Sequence, residues 1–219
     1  MFEHFAQFFF FLDLIAFIAV IGMHLVKSNT NIIRLYFLQS LSVGVLLFSV
    51  GLVEGEHSLL WIGVLTLVIK SIVAPIFFAR LLRRFSAQQS ANNYLSVPLT
   101  LFVLLLLVLF SYSNTFLPLG VLAPEALGSI SLGLASVFMA IFLLVNRRGA
   151  FSQMIGILAL ENAIVLLASF VGLEQPIALE VGIIFDIVIW IVIATAFISM
   201  MYGQFKSLDV SHLTHLRED

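Results

Sequence analysis

An all-α, polytopic membrane protein with seven transmembrane helices is the fold class this sequence predicts, and three observations carry it. Hydrophobic residues make up 62% of the chain, charged residues only 10%, and the mean hydropathy is +1.16, far outside the range of soluble globular domains. The apolar residues form seven long runs, at about 6–26, 33–53, 59–82, 96–112, 126–145, 152–172 and 178–202. Such runs are continuous rather than alternating. A transmembrane strand alternates over roughly 9–11 residues, so helices are the expected spanning structure.

The first run, AQFFFFLDLIAFIAVIGMHLV, has Glu3 where a signal peptide carries basic residues and shows no small-residue cleavage site, so it reads as a retained helix. Its Phe8 to Phe11 stretch covers every direction around a helix, so part of it must face lipid or a partner subunit. Lys27 and Arg34 flank the first connection; Arg80, Arg83 and Arg84 open the third, Arg147 and Arg148 form the fifth, and Lys206 and Arg217 follow the last run. The second, fourth and sixth connections instead hold Glu54, Glu56, Glu125, Glu174 and Glu180, with Glu3 at the N-terminus. By the positive-inside rule the N-terminus lies outside and the C-terminus in the cytoplasm, which requires an odd number of spans. Tyr36, Tyr112 and Tyr202 at run ends, with Trp61 at the start of the third run, fit interfacial positions.

Helices two and three (SLSVGVLLFSVGL onward) and helices six and seven (ENAIVLLASFVGL onward) share an ending and an acidic turn. Each pair follows a helix ending in Leu-Val and a basic turn. A parallel three-helix repeat follows as an expectation: residues 1–95 form an N-terminal three-helix unit, 96–125 a linking helix with an external loop, and 126–219 a second three-helix unit with a short cytoplasmic tail.

Four ionisable residues fall well inside the apolar runs, away from their ends: Asp13, Lys70, Glu161 and Asp186. A charge at mid-bilayer costs about 2.5–3.5 kcal/mol on insertion scales, so such residues face a protein interior or water and mark ion paths. Glu161, in MIGILALENAIVLLASF (154–170), reads as a proton relay or as a packing carboxylate. Asp186 is the second relay candidate. Lys70, five residues before a helix-disturbing Pro75, needs Glu161 or Asp186 as a partner or must lose its proton. Asp13 has no evident partner on its own helix. Asn162 and Gln39 are supporting polar groups, placed to bond across helices or, for Gln39, through water.

No cysteine is present, which excludes cysteine-ligated clusters and disulfides. The five histidines have no metal-ligand spacing and read as solvated or interfacial, His24 among them. No P-loop, dinucleotide-binding turn or nucleophile elbow occurs, so neither a bound cofactor nor catalysis by this chain is expected, and no nucleic-acid partner.

The stretch NRRGAFSQMIGILALENA (146–163) is similar to the start of the second helix of the K subunit of respiratory complex I, and the tail SLDVSHLTHLRED (207–219) resembles that subunit's tail. With Leu160 to Asn162, Asp186 and the Lys70 to Pro75 segment, the whole chain resembles hydrogenase-4 component E. That family comprises K-like membrane subunits of formate hydrogenlyase and other energy-converting nickel–iron hydrogenases. The resemblance implies a non-catalytic inner-membrane subunit between quinone-subunit-like and antiporter-like membrane subunits. Peripheral nickel–iron hydrogenase and iron–sulfur subunits would do the redox chemistry, with Glu161, Asp186 and Lys70 in an ion path. A stand-alone secondary transporter and a static spacer subunit are the alternatives.

Overall fold

The computed structural model describes residues 2–84, 91–121 and 124–171, together with 195 and 199. Among them the regular elements are all helices: α1 (Phe2–Leu25), α2 (Asn29–Glu54), α3 (His57–Leu65), a π-helical segment (Thr66–Val73), α4 (Ala74–Arg84), α5 (Val97–Ser111), α6 (Leu127–Asn146) and α7 (Ala150–Val171). Short 3₁₀ segments at Asn114–Val121 and Pro124–Ala126 join α5 to α6. Five helical stretches are long and apolar enough to cross a bilayer, and a sixth is obtained if α5 and Asn114–Val121, bent by 49°, count as one span. The protein is therefore a multi-pass membrane protein. Its spans start and end within a few residues of the first six apolar runs; the seventh run, 178–202, lies outside the described residues.

Pro75 does not end its helix. Its missing N–H removes the bond that an α-helix would direct to Ser71, and the ladder widens just before it, with the Ala74 amide bonded five residues back to the Ile69 carbonyl. His57–Arg83 consequently continues as one span. The turn between α2 and α3 is made by Gly55, at φ 71°, a left-handed conformation that glycine adopts without strain.

Two hairpins, α1–α2 and α6–α7, lie side by side. Residues 32–36 of α2 pack with 151–159 of α7, and 43–47 with 166, so α2 and α7 run in the same direction. One apolar cluster, including Met23, Ile32, Phe78, Phe151 and Ile155, fills the end of the bundle nearest the basic connections. A second, with Leu12, Val43, Leu46, Ile62 and Leu166, fills the other.

Three connections meet at one end, and Arg147 ties them. Its guanidinium donates to the carbonyls of Met23, Val26 (2.9 Å) and Ala91 (3.0 Å), reaching the carbonyls left open at the end of α1 and the incoming 91–96 segment. Ala91 donates its amide to Lys27 (2.8 Å), Tyr94 to the Asn146 carbonyl (2.8 Å), and Arg148 to Asn92 (3.1 Å). The Asn146 side chain accepts from the Leu95 amide and donates to Thr100. Arg147 is thus a fully buried clasp within the basic connection between α6 and α7. Burial pulls its guanidinium down to about 10, so it stays charged at neutral pH.

Two further expectations are corrected. Tyr36 is fully buried rather than interfacial, because α2 starts at Asn29 and places it more than a turn inside the bundle. His24 is likewise inaccessible, bonded to the Met139 carbonyl (3.0 Å) and stacked on Phe142. Trp61 and Tyr112 are exposed as interfacial rings should be, and Phe8, Phe10 and Phe11 face outward.

Gly63 sets the spacing between α2 and α3: a Cβ there would lie 2.6 Å from the Phe48 backbone nitrogen. At Gly156 the nearest atom, at 2.9 Å, is the mobile end of Leu144. Gly63→Ala is expected to destabilise the protein by about 1–3 kcal/mol, whereas Gly156→Ala leaves it near wild type. Loss of folded protein on heating in mild detergent, measured for both variants, checks this.

Candidate functional site

Between the two apolar clusters lies a polar layer. The Lys70 ammonium, on the π-helical segment, donates to Glu161 Oε1 on α7 at 2.8 Å. Lys70 stands at the midpoint of the span His57–Arg83 and Glu161 at the middle of Ala150–Val171, so the pair sits at mid-membrane depth. The side chain of Lys70 is 4% exposed and that of Glu161 21%. Of the two partners the sequence allows for Lys70, the structure brings Glu161 to it; Asp186 lies outside the described residues.

α2 supplies the rest of the layer. Gln39 donates from Nε2 to the Ala159 carbonyl at 3.0 Å, a direct bond rather than a water bridge, and Asn162 donates to the Ser40 hydroxyl at 2.8 Å. Both bonds are inaccessible to solvent, and both lie one residue or two from Glu161 along α7. Tyr36, one turn from Ser40, lies within electrostatic reach of Glu161. Ser71, beside Lys70, is also buried. Ser40 and Ser71 belong to no motif, and Tyr36 reads from the sequence as an interfacial ring rather than as part of this layer. Their signal is positional only: hydroxyls one helical turn, one residue and one residue from Gln39 or Lys70.

Chemically the layer pairs a cation and an anion, surrounds them with neutral hydrogen-bonding groups, and walls both sides with hydrocarbon. In such surroundings the pair interacts strongly, and the hydroxyls and amides offer neutral hydrogen-bond donors and acceptors beside it. Among the described residues no three His, Asp, Glu or Cys side chains come together as a metal site. Asp13 is not part of the layer. It is buried in α1, and among the described residues neither of its carboxylate oxygens has a hydrogen-bond partner.

Over 188 residues, 85% of this chain and 86% of the relative, the sequence is 22% identical to the protein named "Uncharacterized protein Rv0085" of Mycobacterium tuberculosis (strain ATCC 25618 / H37Rv). The likeness extends over nearly the whole of both chains. No family model matches, and no solved structure does.

Removing one partner of a buried pair leaves the other charge uncompensated, at about 3–5 kcal/mol. Lys70→Met is therefore expected to lower the yield and thermal stability of the folded protein sharply. Combining it with Glu161→Met should recover most of that loss. A double-mutant cycle on thermal unfolding in detergent checks the coupling; additive losses would mean that the two side chains do not act as a pair.

Proposed function

We propose that this chain is a non-catalytic membrane-arm subunit of a complex I-like, energy-converting nickel–iron hydrogenase of the formate hydrogenlyase and hydrogenase-4 type, in which its buried charges form part of a proton or sodium path. The observation that carries this reading is the Lys70–Glu161 pair at mid-span, set in a layer of neutral polar groups. Buried acids and bases of this kind in spanning helices are characteristic of ion relays. The resemblance of residues 146–163 and 207–219 to the component E and K-subunit families supplies the assembly.

In this reading the chain spans the cytoplasmic membrane seven times with its N-terminus outside. Residues 1–95 and 126–219 are related three-helix units linked by 96–125. Glu161 and Lys70 exchange a proton or follow an ion electrostatically, Asp186 continues the path, and Asp13 adds a site toward the outer face. Antiporter-like and quinone-subunit-like subunits flank the chain, while redox centres reside in peripheral subunits.

A stand-alone secondary transporter is the second reading, favoured by one observation: the departure from α-helical bonding at Thr66–Val73 places an irregular turn at the midplane, where transporters build their sites. One purification separates the two. A tagged chain extracted from its own membranes in mild detergent is expected to bring down antiporter-like subunits and a nickel–iron hydrogenase pair. Recovery alone, as a monomer or homo-oligomer, overturns the subunit reading. Within the complex, Glu161→Gln keeps an oxygen to accept from the Lys70 ammonium, so it is expected to assemble with lower stability but less loss than Lys70→Met, and the assembled variant to lose ion coupling; normal coupling in that variant would exclude a relay role and leave a static spacer.

A further inference from the structure

The outer face of the span His57–Arg83 changes character along its length. Ile72, Val73 and Ile76 stand about half exposed on it, and Arg80 and Arg83, both exposed, continue the face at spacings of four and three residues. The opposite face is spent on the bundle, where Ala74, Phe78 and Leu81 are buried in the apolar cluster at the basic end. An apolar stripe thus runs outward from mid-membrane and ends in two arginines. Depth fixes what surrounds each part. Lys70 marks the midpoint of the span; Arg80 lies ten residues farther, about 15 Å along the helix, and Arg83 about 20 Å. The hydrocarbon core of a bilayer ends about 15 Å from its midplane and the headgroup layer at about 20–22 Å. The stripe therefore faces acyl chains, and both guanidinium groups stand at the level of lipid phosphates.

Charge at that level is one-sided. Among the described residues no carboxylate stands at the basic end: Glu3, Glu54, Glu56 and Glu125 are at the other end, and Asp13 and Glu161 lie within the bundle. Three other arginines are engaged by the protein itself. Arg147 is spent on carbonyls, Arg148 sits over the Tyr94 ring at 4.8 Å, and Arg34 donates to the Asn31 side chain. Arg80 and Arg83 make no hydrogen bond or ion pair among the described residues. Two cations with their donors unspent, at phosphate depth and at the head of an apolar stripe, call for an amphiphile with a negative head.

We propose that this face binds an anionic phospholipid of the leaflet at the basic end, its phosphodiester held between Arg80 and Arg83 and an acyl chain laid along Ile76, Val73 and Ile72. A guanidinium presents paired, planar donors that match phosphate oxygens, and side chains three residues apart on a helix are close enough to share one phosphate. A zwitterionic headgroup brings its own cation toward the arginines and has no net charge, so a net-negative headgroup is preferred. The inference rests on the depth and exposure of this span and is independent of the hydrogenase and ion-path readings.

The protein, purified from its own membranes in mild detergent with any chains that accompany it and then freed of lipid, is titrated with phosphatidylglycerol or phosphatidylcholine, and bound lipid is counted by native mass spectrometry. Phosphatidylglycerol is expected to bind more tightly. Arg80→Gln combined with Arg83→Gln should weaken that binding about thirtyfold, from about fivefold for each basic side chain. Lys27→Gln combined with Arg34→Gln removes the same charge from exposed positions at the same end and should change it by less than about threefold, since charges more than a Debye length of about 8–10 Å from the phosphate are screened. Arg80→Lys combined with Arg83→Lys keeps the charge without the planar fork and should fall between wild type and the glutamine pair. Equal losses in the two glutamine pairs would mean diffuse attraction to the whole basic end and overturn the site. Equal affinity of the wild type for the two lipids, as when a protein segment covers the face, overturns it as well. Inorganic phosphate at the lipid's concentration is expected not to displace phosphatidylglycerol; displacement would mean a site for a free anion and exclude the lipid. Failure of the hydrogenase reading, seen in the purification above, is a separate result.

Discussion

A lysine and a glutamate meeting midway through an apolar bundle constrain the arrangement of every helix around them. Neither charge can be left alone in hydrocarbon, so the span His57–Arg83 and α7 must be neighbours, in a register that brings Lys70 to Glu161. α2 is fixed in turn, because Gln39 and Ser40 bond to Ala159 and Asn162 on either side of Glu161. The apolar clusters above and below tolerate many registers, since one aliphatic contact resembles another. The polar layer permits very few, as a one-residue slip would strand several buried donors and acceptors. Its contribution is therefore to specificity of packing as much as to stability.

The two ends of the bundle are built differently. At the basic end, helix termini and connecting segments satisfy one another: Arg147 collects three carbonyls, and the 91–95 segment is bonded to Lys27, Asn146 and Arg148. Arginine suits this task because its planar fork carries several donors and remains charged when buried. At the other end α5 is bent and short, and serines border a cleft. Among the described residues, the layer at Lys70 and Glu161 thus lies between an end knitted together by hydrogen bonds and an end where the chain bends after α5, and Asp13 lies outside the layer.

Much of the fold is legible in the sequence because bilayer thickness sets helix length directly: the first six apolar runs become the observed helices with ends displaced by a few residues. The need to pair Lys70 is legible for the same reason, since hydropathy reveals depth and opposite charges at one depth must meet. Which carboxylate pairs with it depends on azimuth, meaning which helices are neighbours and how each is rotated, and no periodicity in uniformly apolar helices encodes that. The interfacial readings of Tyr36 and His24 fail for this reason, and the inward turn of Arg147 is hidden for the same one. All three stand near run ends, where depth argues for water or headgroups, yet each points inward. The Arg147 clasp is the least legible, because its partners are backbone carbonyls distant in sequence and carry no side-chain signature. Pro75 announces a disturbed helix but not its form; the wide π turn follows from how Ala74 rebonds to Ile69.

The asymmetry of exposure within the ion pair bears on what the layer can do. Lys70 is enclosed on a segment whose backbone has departed from α-helical bonding, while Glu161 keeps about a fifth of its side-chain surface open. A pair serving only to lock two helices gains from enclosing both members, because water at either one weakens the attraction. A carboxylate that remains accessible on one side while held by a lysine on the other can exchange a proton or a cation without the helices separating. In the proposed reading, the accessible Glu161 carboxylate is the member of the pair that exchanges and the enclosed Lys70 ammonium the member that holds it in place.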